Sequence, residues 1–306
     1  MFEKIAVIDP GARWIRVSAE GGRKTERERG CLLKTADQVY LAEEAILQSW
    51  NHMNCKLRHC MEKNRILWNP APLLEMNLER LGLDKAVLKP SAVVLLNGLP
   101  DEKQQSQWQT ICRDLGFGRM ALQDVLYLET ADFQLHIHAG HSCTRIGLFS
   151  RDMIIAAENF ECGGEQMDQD ITEYIARTYR TMISLEDAAT LREAASNAFR
   201  EQRNPILSCL GMDRHSHFVR IEFSAFELWP SIRKTEEAIV EAAKSILRKV
   251  SVEAAEKAGR QPVILSGGLC ECFGLSYLIS TDLGMECIKK GEVLIPSRRR
   301  LTFRPL

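Results

Sequence analysis

Residues 136–150, HIHAGHSCTRIGLFS, set three histidines and a cysteine around one glycine turn. On a strand, His136 and His138 project to the same face, while His141 and Cys143 approach from the turn. Imidazole and thiolate are the donors zinc takes. The same stretch also fits a phosphate-binding hairpin, where Gly140 admits an anion to the backbone N–H groups because it lacks a Cβ. The spacings of structural zinc sites are not met. The polar residues are therefore read as occupants of a cleft that no longer needs glycine, and zinc is not expected.

Other candidates are fewer. HMNCKLRHC would place His52, Cys55, His59 and Cys60 on one face if it were helical, but partly buried thiols and solvated histidines are the commoner arrangement. Cys270 and Cys272 follow a glycine turn, where a helix would hold their side chains about 200° apart and so prevent chelation. Asp9, in IAVIDPG, ends a strand just before Gly11. It either caps that strand end or holds a hydrated Mg²⁺. No Ser–His–Asp or Cys–His arrangement is legible, and no Walker sequence occurs.

Two rounds of strand and helix must position these residues. KIAVIDPG reads as a buried strand with WIRVSA as its hairpin partner. The polar segment GGRKTERERG follows, then a weaker strand and helix through QVYLAEEAILQSW and a helical spacing over residues 71–83. SAVVLLNGLP is an all-apolar strand, and DEKQQSQWQTICRDLGFG is an amphipathic helix with Gly116 near its end. ALQDVLYLE continues the alternation. The pattern then restarts with HIHAGHSCTRIGLFS and MIIAAENF, helices over GGEQMDQDITEYIARTY and ISLEDAATLREAASNAF, and a long helix running through Lys257. PVILSGGLCECFGLSYLIS closes with strand, glycine turn and helix. Two halves of this kind imply a duplicated α/β architecture with a ligand in the cleft between them.

Composition narrows the function. A chain of 306 residues, 45% hydrophobic and 26% charged, can bury two cores. A net charge of −1 provides no field for nucleic acid, so no nucleic-acid partner is expected. No apolar run approaches the ~20 residues that span a bilayer. Ten scattered cysteines and a start, MFEKIAVID, without a secretory leader predict free thiols in the cytoplasm. The basic run SRRRLTFRPL reads as a solvated end. Trp50, Trp68, Trp108 and Trp229 read as core or domain-edge packing.

Taken in order, these segments resemble the MreB-like bacterial actins, members of the actin, sugar-kinase and heat-shock-chaperone ATPase superfamily. IAVIDPG matches the first phosphate loop, and KPSAVVLLNGLPDEKQQSQWQTICRDLGF the strand and helix before the hinge. HAGHSCTRIGLFS falls at the second phosphate loop, NFECGGEQMDQDITEYIARTY at the double-glycine segment, and VILSGGLCECFGL at the adenosine-binding turn. The resemblance implies a duplicated actin-like (ribonuclease H-like) two-domain α/β fold with a central cleft. Its domains would be 1–135 and 136–306, the last strand or helix returning to the first. It also implies ATP with Mg²⁺ as ligand. Phosphate would meet Asp9, Gly11, Ala12 and Arg13 at the first loop, with Asp9 as the metal carboxylate, and Gly140 at the second. Gly163, Gly164 and Glu165 would form a nucleotide-facing turn, Arg192 and Glu193 the ribose-side pair, and Gly267 and Gly268 the adenosine turn.

The departures from the family pattern shape the functional expectation. Ala12, Arg13 and Trp14 stand where small hydroxyl or amide residues belong, and Trp14 is bulky for a cradle. His138 stands where the second loop carries an aspartate, and an imidazole cannot replace that carboxylate beside hydrated Mg²⁺. Gln123, Asp124 and Glu129 lie in the stretch of the hydrolytic acid, but no catalytic residue can be assigned. The expectation is an MreB-like cytoskeletal or scaffold protein of cell shape and cell-wall organisation, with weakened or lost ATP hydrolysis. It would associate with itself or with a related actin-like filament near membrane-bound cell-wall machinery. Met1 and Phe2 would touch the inner face of the membrane, a hook of only a few kcal/mol. The alternative is a non-polymerising adaptor on the same fold, like FtsA or the pilus protein PilM.

Overall fold

The computed structural model describes residues 4–52, 54–84, 89–127, 132–150, 153–291 and 301–306. Met1, Phe2, Glu129, residues 297–300 and the side chain of Trp50 fall outside this description. The chain divides into two compact units, Met1–Thr130 with Val293–Leu306, and Ala131–Glu292.

The first unit begins with an antiparallel meander of β1 (Ile5–Pro10), β2 (Trp14–Ala19) and β3 (Lys24–Arg29). Alternation sorts their faces. Ala6, Ile8, Ile15 and Val17 enter the core, while Trp14, Arg16 and Ser18 take the opposite face of β2. A small sheet of β4 (Cys31–Lys34), β5 (Val39–Leu41) and, after α1 (Ala42–Asn51), β6 (Leu57–His59) comes next. Then follow the short pair β7 (Met61–Glu62) and β8 (Arg65–Ile66), α2 (Ala71–Arg80), β9 (Ser91–Leu96), α3 (Glu102–Asp114) and β10 (Arg119–Asp124). Every residue of β9 is buried, as befits the central strand of a covered parallel pair. Asp101 caps α3 by accepting from the Gln104 amide at 2.8 Å, and Trp108, Ile111 and Cys112 bury its apolar face.

The second unit repeats the plan with β11 (Gln134–Ala139), β12 (Thr144–Ser150) and β13 (Met153–Phe160). Beyond them come α4 (Gly164–Tyr179), β14 (Thr181–Met182), α5 (Leu185–Arg200) and the hairpin β15 (Ile206–Asp213) and β16 (Phe218–Ser224). The unit ends with α6 (Trp229–Arg248), α7 (Val252–Ala258), β17 (Val263–Ser266), α8 (Phe273–Asp282) and β18 (Cys287–Gly291). The main sheets run β10-β9-β1-β2-β3 and β18-β17-β11-β12-β13, the same order in each unit. In both, the first strand pairs parallel to the strand that follows a crossover and antiparallel to its own hairpin partner. The duplication expected from the sequence is therefore present strand for strand. A last strand, β19 (Arg304–Pro305), pairs antiparallel with β10 in the first unit.

Three local expectations are corrected. Residues 54–60 are not a helix. The backbone turns extended into β6, which pairs with β4, so His52, Cys55, His59 and Cys60 share no helical face. The long helix does not reach Lys257 but ends at Arg248, and Ser251 starts α7 by accepting from the Ala254 amide at 3.2 Å. The polar segment after β2 contains β3, whose charged residues sit on a strand that, among the described residues, pairs only with β2, a usual protection of sheet edges. Of the tryptophans, Trp108 is core, Trp68 is half-buried beneath Arg58, and Trp229 packs edge-on against Phe199 at 4.6 Å.

Candidate functional site

The first hairpin turn is a tight structure of backbone on backbone. The Gly11 amide donates to the Asp9 carbonyl at 3.1 Å, and a Cβ on Gly11 would stand 2.7 Å from the Trp14 carbonyl oxygen. Gly30, just after β3, packs from behind, where a Cβ would lie 2.9 Å from the Ala12 carbonyl oxygen and 3.2 Å from that of Gly11. Its amide donates to the Arg13 carbonyl, and its own carbonyl accepts from the Cys60 amide. Only a residue without a side chain fits either place. Burial pulls the His59 imidazole below its usual range, against a hydrogen bond to the Ala12 backbone. Burial also pushes the Cys60 thiol up to about 12, so it is no thiolate ligand.

The second turn copies this construction. The Gly140 amide bonds the Cys143 carbonyl at 3.0 Å, and a Cβ on Gly140 would lie 2.9 Å from that same oxygen. Gly163 stands where Gly30 does, with a Cβ meeting the His141 carbonyl oxygen at 2.4 Å and that of Gly140 at 2.7 Å. The Gly164 and Glu165 amides, first in α4, donate to the Gly140 and His141 carbonyls. Their hydrogen bonds thus tie the helix to the turn. Gly267, at φ +88°, approaches the Ala139 carbonyl so closely that a Cβ would lie 2.5 Å from it. Gly268 is exposed, with nothing near its missing Cβ.

Side chains fill out each turn differently. Asp9 and Arg16 are opposed across β1 and β2, and Arg16 Nη1 lies 3.5 Å from Asp9 Oδ2. The matching pair across β11 and β12 is His138 and Arg145. His138 Nδ1 and His136 Nε2 both contact the Ser266 hydroxyl, at 3.1 and 2.8 Å. The shared face of the two histidines therefore serves one buried hydroxyl. The Trp14 ring is held on the sheet face by Arg27 and Arg29, 4.4 and 4.8 Å from its centroid. Its bulk is engaged with β3.

The sequence-predicted residues separate into those brought together and those not. Gly140, Gly163, Gly164, Gly267 and Arg192 converge on the second turn, whereas Glu193 is exposed on α5. Arg192 Nε donates to Asp168 Oδ1 at 2.7 Å inside the unit. Burial opposes its charge, but the Asp168 carboxylate outweighs that and holds it above its ordinary value. His141 Nδ1 lies 3.8 Å from the other Asp168 oxygen. Asp124 accepts from the Leu126 amide and Gln123 donates to the Tyr127 carbonyl, so both side chains bond the turn that ends β10. Sequence reasoning missed Arg16 and Asp168. The signal for Arg16 was present, because a hairpin with four residues between the paired Pro10 and Ile15 sets Asp9 opposite Arg16.

Among the described residues no group of three or more His, Cys, Asp or Glu side chains is placed to hold a metal ion. The donors at the two turns do not fit a carboxylate-held, hydrated Mg²⁺. Asp9 is paired with a guanidinium, and its counterpart in the second unit is an imidazole hydrogen-bonded to Ser266.

Two sheets of identical strand order, each with a glycine-braced hairpin turn, define a duplicated actin-type α/β protein. The family model for MreB/Mbl proteins matches residues 124–294, more than half of the chain. The chain belongs to the MreB/Mbl family. It is 25% identical over 181 residues to the cell shape-determining protein Mbl of Bacillus subtilis, covering 56% of this chain and 54% of Mbl. With the cell shape-determining protein MreB of Haemophilus influenzae it shares 21% identity over 169 residues, 53% of this chain and 47% of that one. The chain thus spans about half the length of the curated relatives it matches. The crystal structure of MreB5 of Spiroplasma citri bound to AMPPNP superposes with a TM-score of 0.83 at 13% identity, covering 94% of this chain and 92% of that one. The MamK double helical filament gives a TM-score of 0.69 at 13% identity, covering 94% and 95%.

Proposed function

We propose that this protein is an actin-family cytoskeletal element of cell shape that binds ATP at its two hairpin turns and hydrolyses it poorly or not at all. The observation that carries this reading is the matched construction of the turns, in which Gly11 with Gly30, and Gly140 with Gly163, keep the backbone bare. Bare backbone is what lets N–H groups approach a polyphosphate. Asp9, Ala12 and Arg13 complete the first turn. Gly164 and Glu165 anchor the second, and Gly267 and Gly268 offer a side-chain-free turn for the adenosine. Arg192 acts through Asp168 as a positioning residue for α4, and Glu193 remains an exposed candidate at the ribose side. Nucleotide is bound by the Spiroplasma citri MreB5 protein, and MamK forms a double helical filament; both support carrying these properties across.

Bound ATP would supply a phosphoryl group for transfer to water. The chain's residues supply placement, but the second turn offers His138 where a carboxylate would help order the attacking water. Slow hydrolysis follows. Partners are then copies of this chain or a related actin-like filament, with membrane-associated cell-wall machinery next to it. The location proposed is the cytoplasm, peripheral to the membrane. No described helix is long and apolar enough to cross a bilayer, and all ten cysteines are free. His138 also fits a non-polymerising adaptor, since a scaffold that does not cycle needs no hydrolytic geometry. Negative-stain microscopy with ATP, alongside phosphate release, separates the readings. Ordered filaments with phosphate release near background support the proposal. Persistent monomers support the adaptor, and rapid Mg²⁺-dependent turnover overturns the loss of hydrolysis.

A further inference from the structure

The first turn carries its own cation. Arg16 Nη1 lies 3.5 Å from Asp9 Oδ2 and 3.9 Å from where a Cβ on Gly11 would stand. Both side chains of the pair are largely buried, at 9% and 15% exposure. The guanidinium therefore sits at the base of the turn, beside the glycine that the Trp14 carbonyl obliges to carry no side chain. Strand alternation puts Trp14 on the same face, and the ring carries Arg27 and Arg29 against it. Positive charge thus gathers on the side of the sheet that presents Asp9. A divalent cation approaching Asp9 would meet a carboxylate already neutralised and a guanidinium within contact distance, a like-charge encounter.

Polyphosphate meets the opposite situation. A guanidinium is charged at every physiological pH, and its planar fork of donors matches phosphate oxygens. We propose that Arg16 is the resident cation of the first turn and takes the part of Mg²⁺, so that this protein binds a nucleoside polyphosphate without a divalent metal. The proposal rests on the nucleotide reading above and deepens it. Asp9 is then the counter-ion that holds Arg16 in place until phosphate arrives, and the metal ligand expected at Asp9 is withdrawn.

Calorimetric titration of the full chain with ATP and with ADP, in EDTA and in excess Mg²⁺, tests this. The dissociation constants should agree within about twofold between the two conditions, well under the tenfold that 1.4 kcal/mol represents. Arg16→Met should weaken metal-free binding about tenfold or more, the scale of one charge-assisted contact, while Arg16→Lys should retain part of it. Asp9→Asn should tighten metal-free binding by releasing the guanidinium. Should Arg16→Met fail to fold by circular dichroism, the wild-type metal comparison and Asp9→Asn still decide. Binding that requires Mg²⁺, or that Asp9→Asn abolishes, overturns the metal-free proposal and leaves the nucleotide reading standing. Binding in neither condition overturns the nucleotide reading itself.

Discussion

Glu236 lies fully buried on α6, its carboxyl against the start of α8. One oxygen accepts from the Cys272 thiol at 3.2 Å, and the other would lie 2.1 Å from a Cβ on Gly274. Desolvation raises its pKa from 4.5 to about 7, against hydrogen bonds from Cys272 and the Gly274 and Leu275 backbone and the pull of Arg233. The folded state therefore prefers the protonated form. The stability it contributes is full below about pH 4.5 and is lost as pH rises through about 7. The span amounts to about 3 kcal/mol at ~1.4 kcal/mol per pH unit. Urea unfolding of the wild type should show stability declining from pH 5 to 8, and Glu236→Gln should flatten that decline. A slope unchanged by the substitution would assign the effect elsewhere. At this scale the sequence was most legible where a residue's type is dictated by space. Gly11, Gly140 and Gly163 stood out as glycines at turns, and the structure gives each a carbonyl in the way of any Cβ. Pairings such as Arg192 with Asp168 were not legible, because their partners lie 24 residues apart and meet only through helix packing.

The elements carry the next level of constraint. The turn after β11 is built against the start of α4, and a methyl group at Gly163 would drive into the His141 and Gly140 carbonyls. Backbone cannot yield as a flexible side chain can. Gly163→Ala should cost about 1–3 kcal/mol, the usual range for overpacking, whereas Gly268→Ala, with open space around it, should stay within about 0.5 kcal/mol. Thermal melts of the two variants check the contrast, and equal losses would refute the bracing role. Strands such as SAVVLL and QLHIHA announced themselves in the sequence because their burial is continuous. β3 and β15 did not. The residues of β3, KTERER, are all polar, and β15 keeps its larger side chains half exposed, so no hydrophobic period marks them. The break between α6 and α7 rests on one serine cap, a signal too local to outweigh the helical pattern around it.

At the scale of the whole chain, the two units share one plan but are joined unequally. Residues 301–306 return to the first unit, where β19 pairs with β10, the Leu306 amide donates to the Gly118 carbonyl, and the Leu306 side chain packs on the core. Deleting residues 301–306 should lower the melting transition of the first unit and leave that of the second in place. Differential scanning calorimetry would show one transition moving down while the other stays fixed, and a uniform shift would contradict the separate cores. The same return has a temporal meaning. Residues 131–292 lie in sequence between the two pieces of the first unit, so the edge of β10 gains its neighbour only after they have been made. A chain ended just short of Arg304 would leave the outer edge of β10 unpaired, a seam onto which a foreign strand could add.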